Sequence, residues 1–268
     1  MADEPLELPA ATVAGMPRPS VAAPEPVTAT TPRPLRAALL RQRWVDLAML
    51  HWAVPATAVE PFLPAGVRPD TLEGRTYVGL IPFRMVGSGL GAGPAVPYFG
   101  TFLETNVRLY SIDERGRRGI VFRSLDADRL AVVLGARLAL GLPYIWSRLG
   151  FRRLGPGPDA DLEYATRRRR GGPVSRLVLR PGAPIDRPTA LEAWLTGRWG
   201  LHTRLGGGTR YLTNEHEAWP LHRAEVLALD DGLVASAGFP GLTDRPPDSV
   251  LWSPGVGASF GPPRRATR

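Results

Sequence analysis

Four polar side chains in this sequence could together perform acid–base chemistry on a charged ligand. The stretch 101–112, TFLETNVRLYSI, alternates as a strand does, so that Glu104, Asn106 and Arg108 fall on one face. A glutamate whose pKa is raised by burial can act as a base, and Tyr144 can act as an acid or hydrogen-bond donor. An arginine binds a carboxylate, phosphate or enolate through a fork of two hydrogen bonds. We therefore predict Glu104 and Tyr144 as catalytic residues, with Asn106 and Arg108 binding the substrate.

Three further residues complete the predicted binding set. Glu104 and Arg108 lie four residues apart, which places their backbones roughly 13 Å apart along a strand. Because buried charges need partners, Arg123 and Asp126 on the neighbouring strand, a ligand or water are the expected partners. His51 is included as a binding residue, although a histidine in such an apolar stretch is more often part of the core.

Two structural alternatives remain open for these residues. The polar face of 101–112 could point to solvent, as one face of an antiparallel sheet often does. Tyr144 could instead plug the interior as a core tyrosine, with its hydroxyl satisfied by Glu104. Only an inward polar face would make these residues a site.

A helix is expected to position Tyr144. Asp126 is a suitable N-cap for it, and apolar residues follow at helical spacing, namely Leu130, Val133, Leu134 and Leu138. Gly141 and Pro143 then end the pattern. The Gly-Leu-Pro-Tyr turn would deliver Tyr144 to the interior of a barrel or sheet.

The composition predicts one mainly β domain of the α+β type between two tails. The chain has 268 residues, 44% of them hydrophobic, which supports a sizeable core. Its 30 glycines and 29 prolines favour many turns over long helices. Residues 1–34 are rich in Pro and Ala and poor in bulky apolar residues, so we predict a disordered tail there and another at 261–268. The single barrel domain is expected over 35–260.

The basic residues of the chain bear on two questions, Schiff-base catalysis and nucleic-acid binding. All 33 basic residues are arginine, and none is lysine. A guanidinium cannot lose its proton to attack a carbonyl, so Schiff-base catalysis by a side chain is excluded. A net charge of +8 could indicate nucleic-acid binding. The basic residues form one tight run, at 167–170, which a strand would divide between two faces, so nucleic acid is not an expected partner.

No cofactor, metal or membrane is expected. His216 stands between two glutamates, but in a strand their side chains face away from it, so one ion could not collect all three. The glycines at 87–91 lack the strand-to-helix context of a phosphate-binding loop. The sequence has no cysteine, no long apolar segment and no secretory signal at its start, which favours a cytoplasmic location.

Eight short motifs resemble the domain-of-unknown-function 2071 (YqjF-like) family. They run in family order from about residue 42 to 254 and are the segments 44–47 (WVDL), 51–52 (HW), 62–64 (FLP), 78–83 (VGLIPF), 106–110 (NVRLY), 124–126 (SLD), 141–144 (GLPY) and 219–221 (WPL). The family is similar in layout to acetoacetate decarboxylase. The resemblance implies a cone-shaped, mostly antiparallel β-barrel with a few peripheral helices and a small-molecule pocket.

The same resemblance contradicts the decarboxylase chemistry. Tyr144 stands where the decarboxylase carries its Schiff-base lysine, while Glu104 matches a glutamate on the preceding barrel strand. The acidic residue expected near Gly79 and the arginine expected near Ala53 are absent. The resemblance therefore implies the fold and the pocket of acetoacetate decarboxylase, but a different reaction.

Together these observations predict a small-molecule pocket on a decarboxylase-like barrel. The ligand would be an organic or keto acid, and the chemistry acid–base without a Schiff base. If the protein is an enzyme, it would be lyase-like or hydrolase-like. The alternative is a non-catalytic ligand-binding or structural barrel. The sequence is also compatible with a homo-oligomer.

Overall fold

A computed structural model describes residues 22–157 and 160–266 of the chain. The described strands are β1 (Leu40–Pro55), β2 (Val67–Pro69), β3 (Arg75–Leu90), β4 (Phe102–Asp113), β5 (Arg118–Ala127), β6 (Tyr144–Leu154), β7 (Asp161–Arg168), β8 (Val174–Pro184), β9 (Gly200–Leu205), β10 (Gly208–His216), β11 (His222–Asp231), β12 (Ser249–Phe260) and β13 (Arg264–Arg265). The described α-helices are α1 (Ala56–Val59), α2 (Leu130–Leu140), α3 (Ala190–Thr196) and α4 (Leu233–Ser236), and two short 3-10 helices cover Glu60–Phe62 and Leu242–Asp244. Within these described ranges, no helix combines the length and the apolarity that crossing a membrane requires.

Nine of the strands close into a barrel. Their order is β5–β6–β7–β8–β11–β12–β1–β3–β4, and β4 pairs back to β5. The pairings are antiparallel except between β5 and β6 and between β5 and β9. This arrangement confirms the mainly β barrel with few helices that the sequence predicted.

A second ring of strands shares one wall with this barrel. β9 pairs with β5, and β10 pairs with both β9 and β12, so the circuit β12–β1–β3–β4–β5–β9–β10 also closes. The shared strands therefore bury both of their faces. On β1, Leu47 and Met49 belong to one hydrophobic core, while Ala48 and Leu50 belong to the other.

Strand β4 divides its residues between the two cores in the same way. Val107 and Leu109 pack into the core of the nine-stranded barrel. Glu104 and Asn106, on the opposite face, are only 3% and 4% exposed, and they line a cavity inside the seven-stranded ring. The alternative in which this polar face points to solvent is therefore wrong.

Helix α2 begins later than the sequence indicated. Its N-cap is Arg129, and no side chain caps it. The predicted N-cap, Asp126, lies inside β5 instead, because its carboxylate accepts hydrogen bonds from Ser147 and from both sides of the Arg168 guanidinium. The end of the helix is as predicted: Gly141 adopts the left-handed conformation with φ of 64°.

Some described residues beyond the predicted tail boundaries at 34 and 261 contact the rest of the fold. Residues 22–34 contain no helix or strand, yet Ala22 and Glu25 hydrogen bond through their backbones to Glu114 and Gly116. Near the other end, the short strand β13 pairs with β10. Residues 1–21 and 267–268 of the two predicted tails lie outside the described residues.

Candidate functional site

A cavity of about 590 Å³ lies inside the seven-stranded ring, next to α2. Most of its wall is apolar, with contributions that include Met49, Ile81, Phe83, Met85, Phe102, Phe122, Leu125, Leu201 and Leu212. The polar side chains on its wall are Gln42, Ser88, Glu104, Asn106, Arg108, Tyr144, Thr196, Arg198, Asn214 and His216. This size falls within the range of roughly 300–1,000 Å³ that is typical of small-molecule sites.

Glu104 and Tyr144 form a hydrogen-bonded pair in this cavity. Tyr144 is the first residue of β6 and pairs with Leu125 of β5, which carries its ring into the interior. Its hydroxyl donates to Glu104 Oε2 at 2.8 Å, and the Asn106 amide approaches Oε1 at 3.5 Å. Burial raises the pKa of Glu104 to about 7, although these two hydrogen bonds oppose the shift. Burial and the adjacent Glu104 raise the pKa of Tyr144 well above its usual range, so the phenol stays protonated.

The raised pKa of Glu104 should make the folded state less stable as the pH rises. The unfolded chain releases this proton near the ordinary value of 4.5, whereas the folded chain keeps it until about pH 7. Glu104→Gln should therefore stabilise the protein at pH 8 by roughly 3 kcal/mol more than at pH 4. Urea unfolding of both proteins at the two pH values measures this difference. An equal effect of the substitution at pH 4 and pH 8 would contradict it.

Arg108 has no carboxylate partner among the described residues. Its Nη2 donates to the hydroxyl of Tyr110 at 3.1 Å, and its buried Nε has no partner. The backbone of Gly79 leaves room for it, since a Cβ there would lie 3.2 Å from Arg108 Cγ. The structure thus turns the guanidinium toward Tyr110, away from Glu104.

His51 lies behind this arginine and does not line the cavity. Its Nε2 is 2.8 Å from the Tyr110 hydroxyl, which is also 3.2 Å from the Leu195 carbonyl. Burial, reinforced by the nearby Arg108 and Arg198 guanidinium groups, holds the pKa of His51 well below its usual range, so the imidazole is neutral. His51 therefore positions Arg108 through Tyr110, rather than touching a ligand as predicted.

The structure does not bring Arg123 and Asp126 to the cavity, which corrects two of the predicted binding residues. Arg123 Nε donates to the Ala237 carbonyl at 3.0 Å, and its guanidinium lies 4.1 Å from the centre of the Phe62 ring. Asp126 is fully buried against Arg168. Asp126 faces away because β5 contains an extra residue: the register shifts between Val107 and Arg108, which pair with Ser124 and Phe122. Arg123 is the residue skipped.

Asp126 should therefore matter for stability rather than for binding. Asp126→Ala leaves the Arg168 guanidinium without its bidentate partner, and we expect a loss of about 3–5 kcal/mol in the free energy of unfolding. The matched control is Asp161→Ala, which breaks the exposed bidentate pair with Arg180 and should cost at most about 1 kcal/mol. Chemical denaturation of the two variants compares them. Equal losses would refute the structural role assigned to Asp126.

Two residues of β10 that sequence reasoning missed also face the cavity. Asn214 is 7% exposed and lines it together with His216. Burial lowers the pKa of His216 to about 4, and its Nδ1 donates to the Glu217 carbonyl at 2.7 Å. The sequence could have indicated this pair, because residues two apart in a strand share a face. His216 was instead considered only as a metal ligand.

Several buried polar atoms at the cavity have no partner among the described residues. Five of them belong to residues on its wall: Trp44 Nε1, Asn106 Oδ1, Arg108 Nε, Arg198 Nη2 and Asn214 Oδ1. Buried polar atoms are almost always hydrogen bonded in native proteins, to protein, water or ligand. These five atoms include donors and acceptors, so the cavity can form hydrogen bonds with a ligand that carries both acceptors and donors.

The arrangement of strands and cavity defines this chain as an acetoacetate decarboxylase-like barrel. An acetoacetate decarboxylase-like enzyme from Sphingomonas wittichii RW1 superimposes with a TM-score of 0.60 over 88% of this chain and 96% of its own, at 15% sequence identity. The enduracididine biosynthesis enzyme MppR, complexed with pyruvate, gives 0.57 over 85% and 90%, also at 15% identity. At such low identity, these similarities show the fold alone.

Within this fold, the chain belongs to the DUF2071 family, described as an uncharacterized conserved protein. The family pattern matches residues 41–257. The uncharacterized protein YqjF of Bacillus subtilis (strain 168) is 31% identical over 191 residues, which cover 70% of this chain and 77% of YqjF. The resemblance identified from the eight motifs is thereby confirmed.

Proposed function

We propose that the cavity binds an organic or keto acid, whose carboxylate is held by Arg108 and whose carbon exchanges a proton with Glu104. The observation that carries this proposal is a guanidinium that has no carboxylate partner among the described residues, in the same apolar cavity as a carboxyl of pKa about 7. The two groups lie on one face of β4.

The environment of Arg108 supports a carboxylate as its ligand. A buried charge is costly unless it is paired and hydrogen bonded. The Tyr110 hydroxyl accepts one of the two Nη2 hydrogens. The second Nη2 hydrogen, together with Nε or Nη1 beside it, can still form two parallel hydrogen bonds to one carboxylate or phosphate. The single carboxylate on the described cavity wall, Glu104, is occupied by Tyr144 and Asn106.

The pKa of Glu104 supports a proton-transfer role. A group that titrates near neutral pH holds substantial amounts of both its acid and its base at working pH. The ionised carboxylate would take a proton from a carbon next to a carbonyl, while the electron pair of the broken C–H bond moves to the carbonyl oxygen. Reprotonation of that carbon restores the keto form. Tyr144, which stays neutral, supplies a hydrogen bond to the carboxylate or to the developing oxyanion.

The test is solvent deuterium exchange. Straight-chain 2-oxo, 3-oxo and 4-oxo acids are incubated with the protein in D2O, and proton NMR follows the loss of C–H signals next to the carbonyl. Pyruvate, with which a structural neighbour was solved in complex, is the shortest acid of this series. Exchange above the rate of the buffer, lost in Glu104→Gln, supports the proposal.

One observation favours the non-catalytic alternative. Glu104 and Tyr144 already satisfy each other at 2.8 Å, as a purely structural pair would. The alternative expects acids to bind without exchange. It also expects their affinity to stay unchanged in Tyr144→Phe and Glu104→Gln, and that pair of results would overturn the catalytic role.

No covalent imine should form on a side chain. Because the chain contains no lysine, a keto acid cannot condense with a side-chain amine. We expect no mass increase on any side chain after treatment with pyruvate and borohydride, measured by mass spectrometry of proteolytic peptides. A trapped adduct on a side-chain peptide would contradict this expectation.

A further inference from the structure

We infer that the acid bound by this cavity carries an extended apolar chain or ring system, which lies between the barrel wall and α2. This inference rests on the proposed carboxylate site at Arg108. It concerns the chemical class of the ligand, which neither the site chemistry nor the comparisons specify.

The order of residues along β4 gives the cavity a long axis. Arg108 pairs with Gly79, Glu104 with Phe83, and Phe102 with Met85 near the end of the β3–β4 ladder. Since a strand rises by roughly 3.3 Å per residue, Phe102 lies about 20 Å along the strand from Arg108. A three-carbon acid spans two carbon–carbon bonds of about 1.5 Å each. Held at Arg108, such an acid would leave most of this length unfilled.

The orientation of Arg108 strengthens this argument. Its guanidinium carbon is 5.6 Å from the centre of the Tyr110 ring, two residues further from Glu104 along β4. An acid that reaches both the guanidinium and the Glu104 carboxyl must therefore bridge several bonds. Beyond Glu104, the wall continues with Phe102 and Met85.

Helix α2 provides one side of the apolar part of the cavity. The helix residues on the wall are Ala131, Val132, Gly135, Ala136, Ala139 and Leu140. All of them are apolar, and most are small. A Cβ placed on Gly135 would have no neighbour within 4 Å, so open space lies beside this turn of the helix. An alkyl chain or ring fits such a surface, whereas a second charged group would find no partner on it.

The apolar surface continues to the exterior of the protein. Leu39, Leu90, Val96 and Phe99 all line the cavity, yet they are 43%, 68%, 42% and 44% exposed. Isolated exposed apolar residues are ordinary, but several grouped at one opening are typical of a ligand-binding groove. A ligand with an apolar chain would cover them on entry.

Calorimetric titration of the full chain with butanoate, hexanoate, octanoate and decanoate tests the inference. We expect Kd to fall by roughly three- to fourfold per added methylene until the cavity is filled. Gly135→Leu, which places a side chain in the open space, should weaken decanoate binding at least tenfold and butanoate binding less than twofold. Gly135→Ala should give a smaller loss in the same direction. Leu138→Ala, on the outer side of the same helix and 83% exposed, is the control without effect.

The outcomes separate this inference from the proposed function. If Kd is the same from butanoate to decanoate and binding still depends on Arg108, the apolar chain is refuted and the carboxylate site stands. If 1-alkanols bind as tightly as the acids and Arg108→Gln changes neither, the carboxylate site is refuted, and the inferred acid with it. A Gly135→Leu variant that binds decanoate like the wild type overturns the position beside α2.

Discussion

Replacing Arg108 by glutamine is expected to weaken the binding of organic acids on the order of a hundredfold. Removing one member of a desolvated, hydrogen-bonded charge pair costs about 2–5 kcal/mol. The loss should be large because no other described cation on the wall is free: the Arg198 guanidinium is already bound to Asp70 and to the Trp194 carbonyl. Arg108→Lys should recover only part of the affinity, since an ammonium keeps the charge but not the two-pronged geometry. Calorimetry with octanoate measures all three proteins.

The matched control for this experiment is Arg123→Gln. It removes the same functional group from the adjacent strand, but Arg123 contacts the Ala237 carbonyl and Phe62 instead of the cavity. Octanoate affinity should change less than twofold, even if thermal stability falls. Equal losses in Arg108→Gln and Arg123→Gln would show that the acid does not sit on Arg108.

The sequence was sufficient to predict β4, the strand that carries the site, and the residues on each of its faces. In β4, the strict alternation of polar and apolar residues predicted which residues share a face, and the two faces do enter separate environments. A proline within a strand indicates an edge or a bulge, and Pro82 of β3 is such a proline. It lies in a central strand opposite an irregularity of β1, between Val45 and Leu50, where the partner strand carries an extra residue. These predictions from local sequence succeed because side-chain alternation and the effect of a proline depend only on the geometry of the nearby backbone.

The errors arose where a single residue changes the register. Arg123 and Asp126 were assigned to the cavity as charged partners on the strand next to β4. The bulge at Arg123 reverses the faces of the residues after it, so that Leu125 lines the cavity and Asp126 does not. The sequence around the bulge contains no glycine or proline that would have indicated it.

Helix caps show the competition between local and tertiary interactions. Asp126 has the residue type of an N-cap, but pairing with Arg168, 42 residues away, holds it in the strand. Asp186 also has the residue type of an N-cap, yet α3 begins after Thr189, which forms a capping box with Glu192. The pattern Thr-x-x-Glu was visible in the sequence and is the more specific signal.

The second ring of strands could not be predicted from local patterns. β9 and β10 close it by pairing with β5 and β12, which are distant in sequence from one another. This closure is what places Asn214 and His216 opposite Glu104 and Arg108 across the cavity. The residues of β4 were therefore predictable as one wall of a site, while the facing wall required the tertiary structure.

Replacing Glu104 by glutamine is expected to reduce deuterium exchange by a factor of about 10²–10⁴, the usual contribution of a general base. Gln keeps the shape of the side chain and can still accept from the Tyr144 hydroxyl, so the cavity should persist. Octanoate binding, measured in parallel, should change far less than exchange. Loss of binding together with exchange would instead indicate that the substitution disrupts the cavity.

The pH profile gives the decisive distinction between a base and a structural pair. Because the ionised form of Glu104 takes the proton, exchange in the wild type should rise as the pH passes through about 7 and level off above it. The Tyr144 hydrogen bond lowers the pKa of Glu104 and therefore opposes the effect of burial. Tyr144→Phe removes that hydrogen bond, so the profile should shift to higher pH, with little loss of rate at its plateau if Tyr144 only tunes the base. A profile that stays in place while the plateau falls would mean that the tyrosine acts on the substrate itself. A rate independent of pH between 5 and 9 would exclude Glu104 as the base, because a base with a pKa of about 7 must lose activity as it becomes protonated below that pH.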